Sequence, residues 1–204
     1  MIRLDIEIDD VSKSFSFPNT WEEITISQYR KIHSINKPEG NSLEYIFNII
    51  HALTNVDMEL LTQISYTDFK MLMEELNFLF QPVKNTQVEF ITIDGENYYL
   101  YTDFNKYTAG EIISIDTILQ RNQHDYISCI EELLCIFLRK KIDGKIEKFN
   151  TDLFHRKTMF ENCKITEVNN IFSFFLSGKS SLETNTKDYS KKTPQSKKAS
   201  LRKD

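Results

Sequence analysis

Glycine and proline are scarce in this 204-residue chain, with only five and four residues. Low numbers of both favour many helices joined by short connections. The scattered glycines also supply neither the G-x-x-x-x-G-K-[ST] pattern of a P-loop nor the G-x-G-x-x-G pattern of a dinucleotide site. The sequence therefore lacks the two commonest phosphate-binding motifs, and we predict no cofactor.

Cysteine is scarcer still, and Cys129, Cys135 and Cys163 lack the C-x-x-C spacing of zinc or redox sites. We expect these thiols to be small buried side chains in a reducing compartment. The start of the chain does not resemble a secretory signal, and no apolar run approaches the roughly 18 residues of a membrane span. These patterns predict a cytosolic protein without a membrane partner.

Catalytic constellations are also missing from the sequence. The four histidines are far apart and show no spacing typical of a zinc site, so we predict no metal ligand. Ser128 lies in a predicted helix without the sharp turn that presents a nucleophile. The adjacent pairs Glu74–Glu75 and Glu131–Glu132 are expected to be solvated edges. We predict no catalytic residue and interpret the chain as a protein that is not an enzyme.

Charge is distributed unevenly along the chain. Residues 179–204 contain eight Lys/Arg and three Asp/Glu, a net charge of +5, so the rest carries −10. An acidic body argues against a general nucleic-acid-binding domain, because it repels phosphates. The tail is polar and predicted to be disordered, and it either solubilises the protein or contacts acidic protein or nucleic acid. Its candidate partner-binding residues are Lys191, Lys192, Lys197, Lys198 and Arg202.

A hydrophobic content of 40% and an aromatic content of 12% predict one packed domain, which we place at residues 1–178. The clearest amphipathic pattern runs from Asp125 to Arg139, and we predict a central helix there. A second apolar block, residues 165–176, is expected to pack against it. Strand alternation predicts hairpins at about residues 3–17 and 88–101, the second around Asp94-Gly95. We expect both hairpins to join one small antiparallel sheet, which gives an α+β, mainly helical fold.

Other helices are predicted from their first residues. Thr25 with Gln28 forms a capping-box pattern for a helix ending near residue 35, and Thr108 with Glu111 forms another for a short helix. Just before the first of these, Trp21 is expected to be a core anchor, with ligand stacking as the alternative. Asp143-Gly144 predicts a turn, and Asn150 or Thr151 is expected to cap a helix over residues 152–161.

A broad apolar stripe follows Thr67, which is predicted to cap a helix over residues 68–80. Residues at this spacing are usually core, but a wide stripe can also form a partner groove. The candidate partner-binding residues of this stripe are Phe69, Leu72, Met73, Leu76 and Phe80.

Three stretches resemble a group of small bacteriophage proteins. Residues 17–29 are similar to the opening pattern P-x-x-W-x-E-[LI]-T-x-x-Q-[YF] of that group, through Trp21, Thr25, Gln28 and Tyr29. Residues 90–98 and 108–111 are similar to its middle, I-x-G-x-x-Y … T-x-G-E. Residues 133–139, 154–156 and 172–176 resemble its ending, L-A-I-L-Y-R … R … F-F-F. The resemblance covers about residues 15–178, and the basic tail departs from it.

The resemblance implies a morphogenesis protein of tailed phages with Bacteroidetes-type hosts, including crAss-like phages. It implies a tail assembly chaperone or a structural component of the neck and tail, located in the host cell cytoplasm or in the virion, and no catalytic residue carries over. The expected partners are tape-measure, tail or neck proteins, with nucleic-acid contact through the basic tail only, and an oligomer within an assembly is compatible with this role. The alternative function is a small regulatory binder of a host protein.

Overall fold

In a computed structural model, the residues that can be described are 1–8, 11–37, 43–84, 88–101, 103–169 and 171. Met1–Ile171 forms a compact unit. The predicted end of the domain at residue 178 and the predicted disordered tail lie outside the described residues. Within them, no helix is long and apolar enough to cross a membrane.

The predicted α+β, mainly helical class is confirmed. The α-helices are α1 (Ile26–Ser34), α2 (Leu43–Thr54), α3 (Met58–Leu61), α4 (Tyr66–Glu75), α5 (Ala109–Arg121), α6 (Ile130–Phe137) and α7 (Lys157–Phe160). The 3₁₀ segments are Trp21–Glu23, Leu76–Phe80, Phe104–Lys106 and Thr151–Arg156. The strands are β1 (Ile2–Ile8), β2 (Val11–Phe17), β3 (Phe90–Ile93), β4 (Glu96–Leu100), β5 (Leu138–Arg139), β6 (Lys141–Ile142) and β7 (Lys145–Ile146). Residues 165–169 are also helical.

The two predicted hairpins form, but they do not share a sheet. β1 pairs with β2 alone among the described strands, and β2 packs on α2. β4 instead pairs on its second edge with β5, where Tyr99 lies opposite Arg139. The prediction of one joined sheet is wrong, because the strand that joins the β3–β4 hairpin is β5, the two residues directly after α6.

Tight turns close the second and third hairpins. Asp94 and Gly95 have φ angles of 53° and 79°, and Asp143 and Gly144 have φ angles of 50° and 74°. Two successive residues with positive φ define the type I′ turn, which matches the twist of antiparallel strands. The predicted turn at Asp143-Gly144 is therefore the link between β6 and β7.

The predicted central helix is shorter than its apolar pattern. α6 begins at Ile130 and ends at Phe137, so Asp125 and Arg139 lie outside it. Every residue of α6 except Glu132 is buried, including Glu131 at 0% exposure. The prediction that Glu131 is solvated is wrong, because α5, α7 and the Thr151–Arg156 segment pack around this helix.

Both predicted capping boxes are present. Thr25 accepts a hydrogen bond from the Gln28 backbone N–H at 3.2 Å, and Gln28 Oε1 accepts from the Thr25 N–H at 3.0 Å. Thr108 and Glu111 do the same for α5, which is longer than predicted at 13 residues. Asn150 caps the Thr151–Arg156 segment. The predicted cap at Thr67 is wrong, since Ser65 accepts from the Asp68 N–H at 3.1 Å and α4 begins at Tyr66.

The beginning of α1 is joined to the end of the described chain. The Ile26 N–H donates to the Cys163 carbonyl, and the Ile165 N–H donates to the Ile24 carbonyl, each at 2.9 Å. Ile24 and Ile26 are fully buried at this junction, and Ile165 is 1% exposed. These contacts fix the first turn of α1, and therefore the direction in which its later side chains point.

Candidate partner-binding groove

The predicted apolar stripe does not form a single open surface. Leu72 and Leu76 are 1% and 2% exposed and belong to the core, whereas Phe69 and Met73 are half-buried. Phe80 is 55% exposed. The prediction of one partner groove is therefore corrected for Leu72 and Leu76, because both side chains are buried in the core and offer no surface to a partner.

An open groove of about 480 Å³ lies on another side of the same 3₁₀ segment. We call it the aromatic groove, and its walls come from Trp21, α1, α2 and the chain around Phe80. Its described lining residues are Trp21, Tyr29, Ile32, His33, Ile35, Lys37, Tyr45, Ile49, Leu79, Phe80, Gln81, Pro82 and Val83. Of the stripe residues named from the sequence as partner-binding, it includes Phe80.

Trp21 connects the two sides of the aromatic groove. Its indole N–H donates to the Gln81 carbonyl at 3.0 Å, and its ring meets Phe78 edge-on with centroids 5.3 Å apart. On the other side it meets Tyr29 edge-on at 5.8 Å. Trp21 is half-buried, so it is both an anchor for the Leu76–Phe80 segment and part of the groove wall.

The orientation of α1 is set by Gln28, whose side-chain N–H donates to the Leu53 carbonyl of α2 at 2.9 Å. Tyr29 follows directly and stacks at a tilt on His33, with ring centroids 5.0 Å apart. Burial raises the pKa of the Tyr29 phenol. Tyr29 therefore stays neutral at physiological pH and can donate a hydrogen bond from the groove wall.

The basic side chains in the described lining of the aromatic groove are His33 and Lys37, which are both exposed. Its described lining contains no aspartate or glutamate. Glu44 precedes Tyr45 on α2 and is exposed, but it is not part of the lining. Among the described lining residues, Lys37 therefore supplies a positive charge that no carboxylate opposes, on a chain that is acidic outside its last 26 residues.

A second cluster, which we call the ionic network, is buried beside β4, β5 and β7. Arg139 pairs with Glu111, with both side chains 3% exposed, and its Nε–H donates to the Ile136 carbonyl at 3.0 Å. The guanidinium also lies 4.8 Å from the Tyr101 ring centroid. Burial opposes ionisation of Glu111, but the Thr108 donors and Arg139 outweigh it and lower the pKa of this carboxyl.

The other half of the ionic network is a two-bond contact. Arg156 donates to both carboxylate oxygens of Glu147, at 2.6 and 2.8 Å. These bonds, followed by the charge attraction, lower the pKa of Glu147. The Arg156 guanidinium also lies 5.5 Å from the Tyr98 ring centroid. The Arg139–Glu111 pair is buried, the Arg156–Glu147 pair is largely so, and both are bonded within the chain, so this cluster presents no open site.

Glu131 is the exception among the buried charges. Arg30 Nη1 lies 3.0 Å from both of its oxygens and donates a hydrogen bond to Oε2. Among the residues that the structure describes, Oε1 accepts no hydrogen bond. Removal from water raises the pKa of this carboxyl. The contact links α1 to α6 but opens into neither described cavity.

The three thiols are buried, as predicted. Burial raises the pKa of Cys129, Cys135 and Cys163 to about 12, so they are protonated at neutral pH. A thiol that stays protonated is a poor nucleophile. In the part of the chain that is described, no group of three or more His, Cys, Asp or Glu side chains is placed to hold a metal ion.

Sequence reasoning missed most of the aromatic groove. Tyr45, Gln81, Pro82 and Val83 contribute to it, yet they stand far from Trp21 in the chain. The available signal was Pro82, which lies two residues beyond the apolar stripe. Lys191, Lys192, Lys197, Lys198 and Arg202 lie outside the described residues.

Residues that carry the sequence resemblance fall into both clusters. Trp21 and Tyr29 line the aromatic groove, and Glu111, Arg139 and Arg156 belong to the ionic network. Comparison of the chain with protein-family models, with curated proteins and with solved structures found no match.

Proposed function

We propose that this chain is a non-enzymatic assembly protein of a tailed bacteriophage that binds an apolar segment of another phage protein in the aromatic groove. The partner would be a tape-measure, tail or neck component. The observation that carries the proposal is the position of Trp21 and Tyr29, which belong to the phage-like sequence pattern and form one wall of the groove.

Some residues of that pattern hold the scaffold together and others line the groove, which supports this role. Thr25 and Gln28 cap α1, and Gln28 also bonds to α2, so these residues serve the scaffold. Trp21 and Tyr29 are held by that scaffold with part of their ring surface in the groove. Large aromatic side chains in fixed positions contribute strongly to protein–protein binding, because little entropy is lost when a partner covers them.

The dimensions of the groove fit a segment of a protein. A volume of about 480 Å³ lies within the roughly 300–1,000 Å³ of pockets that hold drug-sized molecules, which is room for a few apolar side chains of a partner segment. Phe80 at its edge is 55% exposed, which leaves apolar area for a partner to bury. An amphipathic helix that places its apolar face in a groove is a common way to use such a surface.

The proposed protein is either a chaperone or a structural component of the particle. A chaperone would hold its partner during assembly and be absent from finished particles, whereas a structural component would be present in fixed stoichiometry. Mass spectrometry of purified virions separates the two. The basic residues after Lys179 would add a contact with acidic protein or nucleic acid in either form.

A matched pair of variants tests the proposal in cells that produce the phage. Phe80→Glu places a charge in the groove, and Tyr66→Glu places the same charge at a side chain that is 81% exposed and outside it. We expect tagged wild type and Tyr66→Glu to recover the same phage structural protein, and Phe80→Glu to lose it.

Recovery of a host protein without any phage structural protein would contradict the proposal. It would support the alternative, a small regulatory binder of a host protein. Equal recovery of the phage partner by both variants would show that binding occurs somewhere other than the aromatic groove.

A further inference from the structure

We infer that the segment bound in the aromatic groove is an amphipathic helix with acidic residues flanking its apolar anchors. This inference rests on the proposed function and specifies the chemistry of the partner. It follows from three features of the groove: Lys37 in its described lining, the occupied indole N–H of Trp21, and the mixture of aromatic and aliphatic side chains that line it.

The charge in the described lining selects the sign of charge on the partner. His33 and Lys37 lie among the lining residues on the α1 side, and the described lining contributes no acidic side chain to oppose them. At physiological salt, charges more than about 8 Å away are largely screened, so Lys37 in the lining acts on a bound segment more strongly than carboxylates beyond that distance. A partner with acidic flanks gains attraction there, and a partner with basic flanks meets repulsion.

The indole of Trp21 argues against an extended proline-rich ligand. Grooves that bind polyproline II helices are lined by aromatic side chains, and the bound backbone has carbonyls free to accept hydrogen bonds because that helix has no internal ones. Here the Trp21 N–H already donates to the Gln81 carbonyl at 3.0 Å. A helical ligand bonds its own backbone carbonyls internally and therefore does not need this donor.

The lining supplies places for apolar anchors. Ile32, Ile35 and Ile49 contribute aliphatic surface, and Trp21 and Phe80 contribute aromatic surface. Side chains three and four residues apart on a helix project from one face and can enter such a groove together. Tyr29 adds a neutral hydroxyl that can bond to a polar side chain at the edge of the ligand.

Trp21 makes the inference measurable, because it is the only tryptophan in the chain. Its fluorescence reports directly on occupancy of the groove by a peptide without tryptophan. Two synthetic amphipathic peptides of about five helical turns would carry the same Leu and Phe anchors. One would have glutamates beside the anchors and the other lysines, and each would be titrated into the full chain at low and high salt.

We expect the glutamate peptide to bind about tenfold more tightly than the lysine peptide at low ionic strength, with the difference shrinking in about 0.5 M salt. Lys37→Glu should abolish or reverse the preference. The matched control Lys70→Glu changes an exposed lysine on α4 that does not line the groove, and it should keep the preference.

Each outcome tests either the charge preference of the groove or the groove as a binding site. Equal binding of the two peptides, or tighter binding of the lysine peptide, overturns the acidic-partner inference and leaves the groove as a binding site. A preference that survives Lys37→Glu also overturns it, since Lys37 would not be its source. If neither peptide changes Trp21 fluorescence up to about millimolar concentration, where binding is worth only about 4 kcal/mol, the groove itself is not a helix-binding site.

Discussion

The aromatic groove and the ionic network both contain residues of the sequence pattern that resembles phage proteins. The network residues bond to partners within the chain, whereas the groove residues leave part of their surface exposed. In the network, Arg139 and Glu111 are each 3% exposed and bond to partners within the chain. In the groove, Phe80 is 55% exposed and Trp21 is half-buried. The first cluster is complete without a partner, whereas the second leaves apolar surface uncovered. Substitutions in the network should therefore affect stability, and substitutions in the groove should affect binding.

The largest effect is expected for Arg139→Met. It leaves the Glu111 carboxylate buried without its guanidinium, and breaking a buried ion pair in this way costs about 3–5 kcal/mol. The control is Arg121→Met. The Arg121 side chain is 61% exposed and pairs with Glu132, so losing this pair should lower the free energy of unfolding by only about 0–1 kcal/mol. Urea unfolding of both variants measures the difference, and equal costs would show that the network is not a stabilising cluster.

Leu134→Ala tests whether α6 is the core against which the network is built. Leu134 is fully buried, so its truncation should lower the free energy of unfolding by about 2–5 kcal/mol. Ile113→Ala removes an aliphatic side chain that is 64% exposed on α5 and should cost much less. A cost for Leu134→Ala as small as that of the control would remove α6 from the core.

Acid should weaken the ion pair between Glu147 and Arg156, and Glu147→Gln measures how much that pair contributes to stability at each pH. The folded pKa of Glu147 is lowered below its ordinary value of 4.5, so its stabilisation is present above that pH and is lost as pH falls. Glu147→Gln should cost about 1.5–3 kcal/mol at neutral pH, because charge-assisted bonds to Arg156 are weakened. Unfolding measured from pH 7 to 3 should show this cost shrinking, and a cost that is constant with pH would contradict the assignment.

The smallest effect on stability is expected in the groove. Phe80→Glu should change the free energy of unfolding by less than about 0.5 kcal/mol, as for other surface substitutions. The same variant should weaken binding of the glutamate peptide by at least about tenfold, because it places a like charge beside the ligand. Thermal unfolding and Trp21 fluorescence measure the two effects. A strongly destabilised variant with normal binding would reverse the comparison between the two clusters.

The sequence predicted elements whose signals are local. The turns at Asp94-Gly95 and Asp143-Gly144 and the caps at Thr25 and Thr108 depend on residues no more than three positions apart, and each is present. The overall class followed from the number of such elements. Local chemistry sets these features, and the tertiary fold does not override it.

Features that depend on distant partners could not be predicted in this way. The apolar pattern continues through Leu138, but the chain leaves the helix there because β4 offers a strand edge. Glu131 was expected in solvent, and it is buried because several other elements surround α6. The aromatic groove brings Trp21 to Gln81, 60 positions away, and no local pattern indicates that contact.

We propose that the aromatic groove is the surface that binds the partner. Recovery of the partner by tagged Phe80→Glu and Tyr66→Glu tests this most directly. Both variants add one negative charge in place of an exposed aromatic side chain, and they differ in whether that side chain lines the groove. We expect wild type and Tyr66→Glu to recover one phage structural protein and Phe80→Glu to lose it. Equal recovery by the two variants, with both folded, would contradict it.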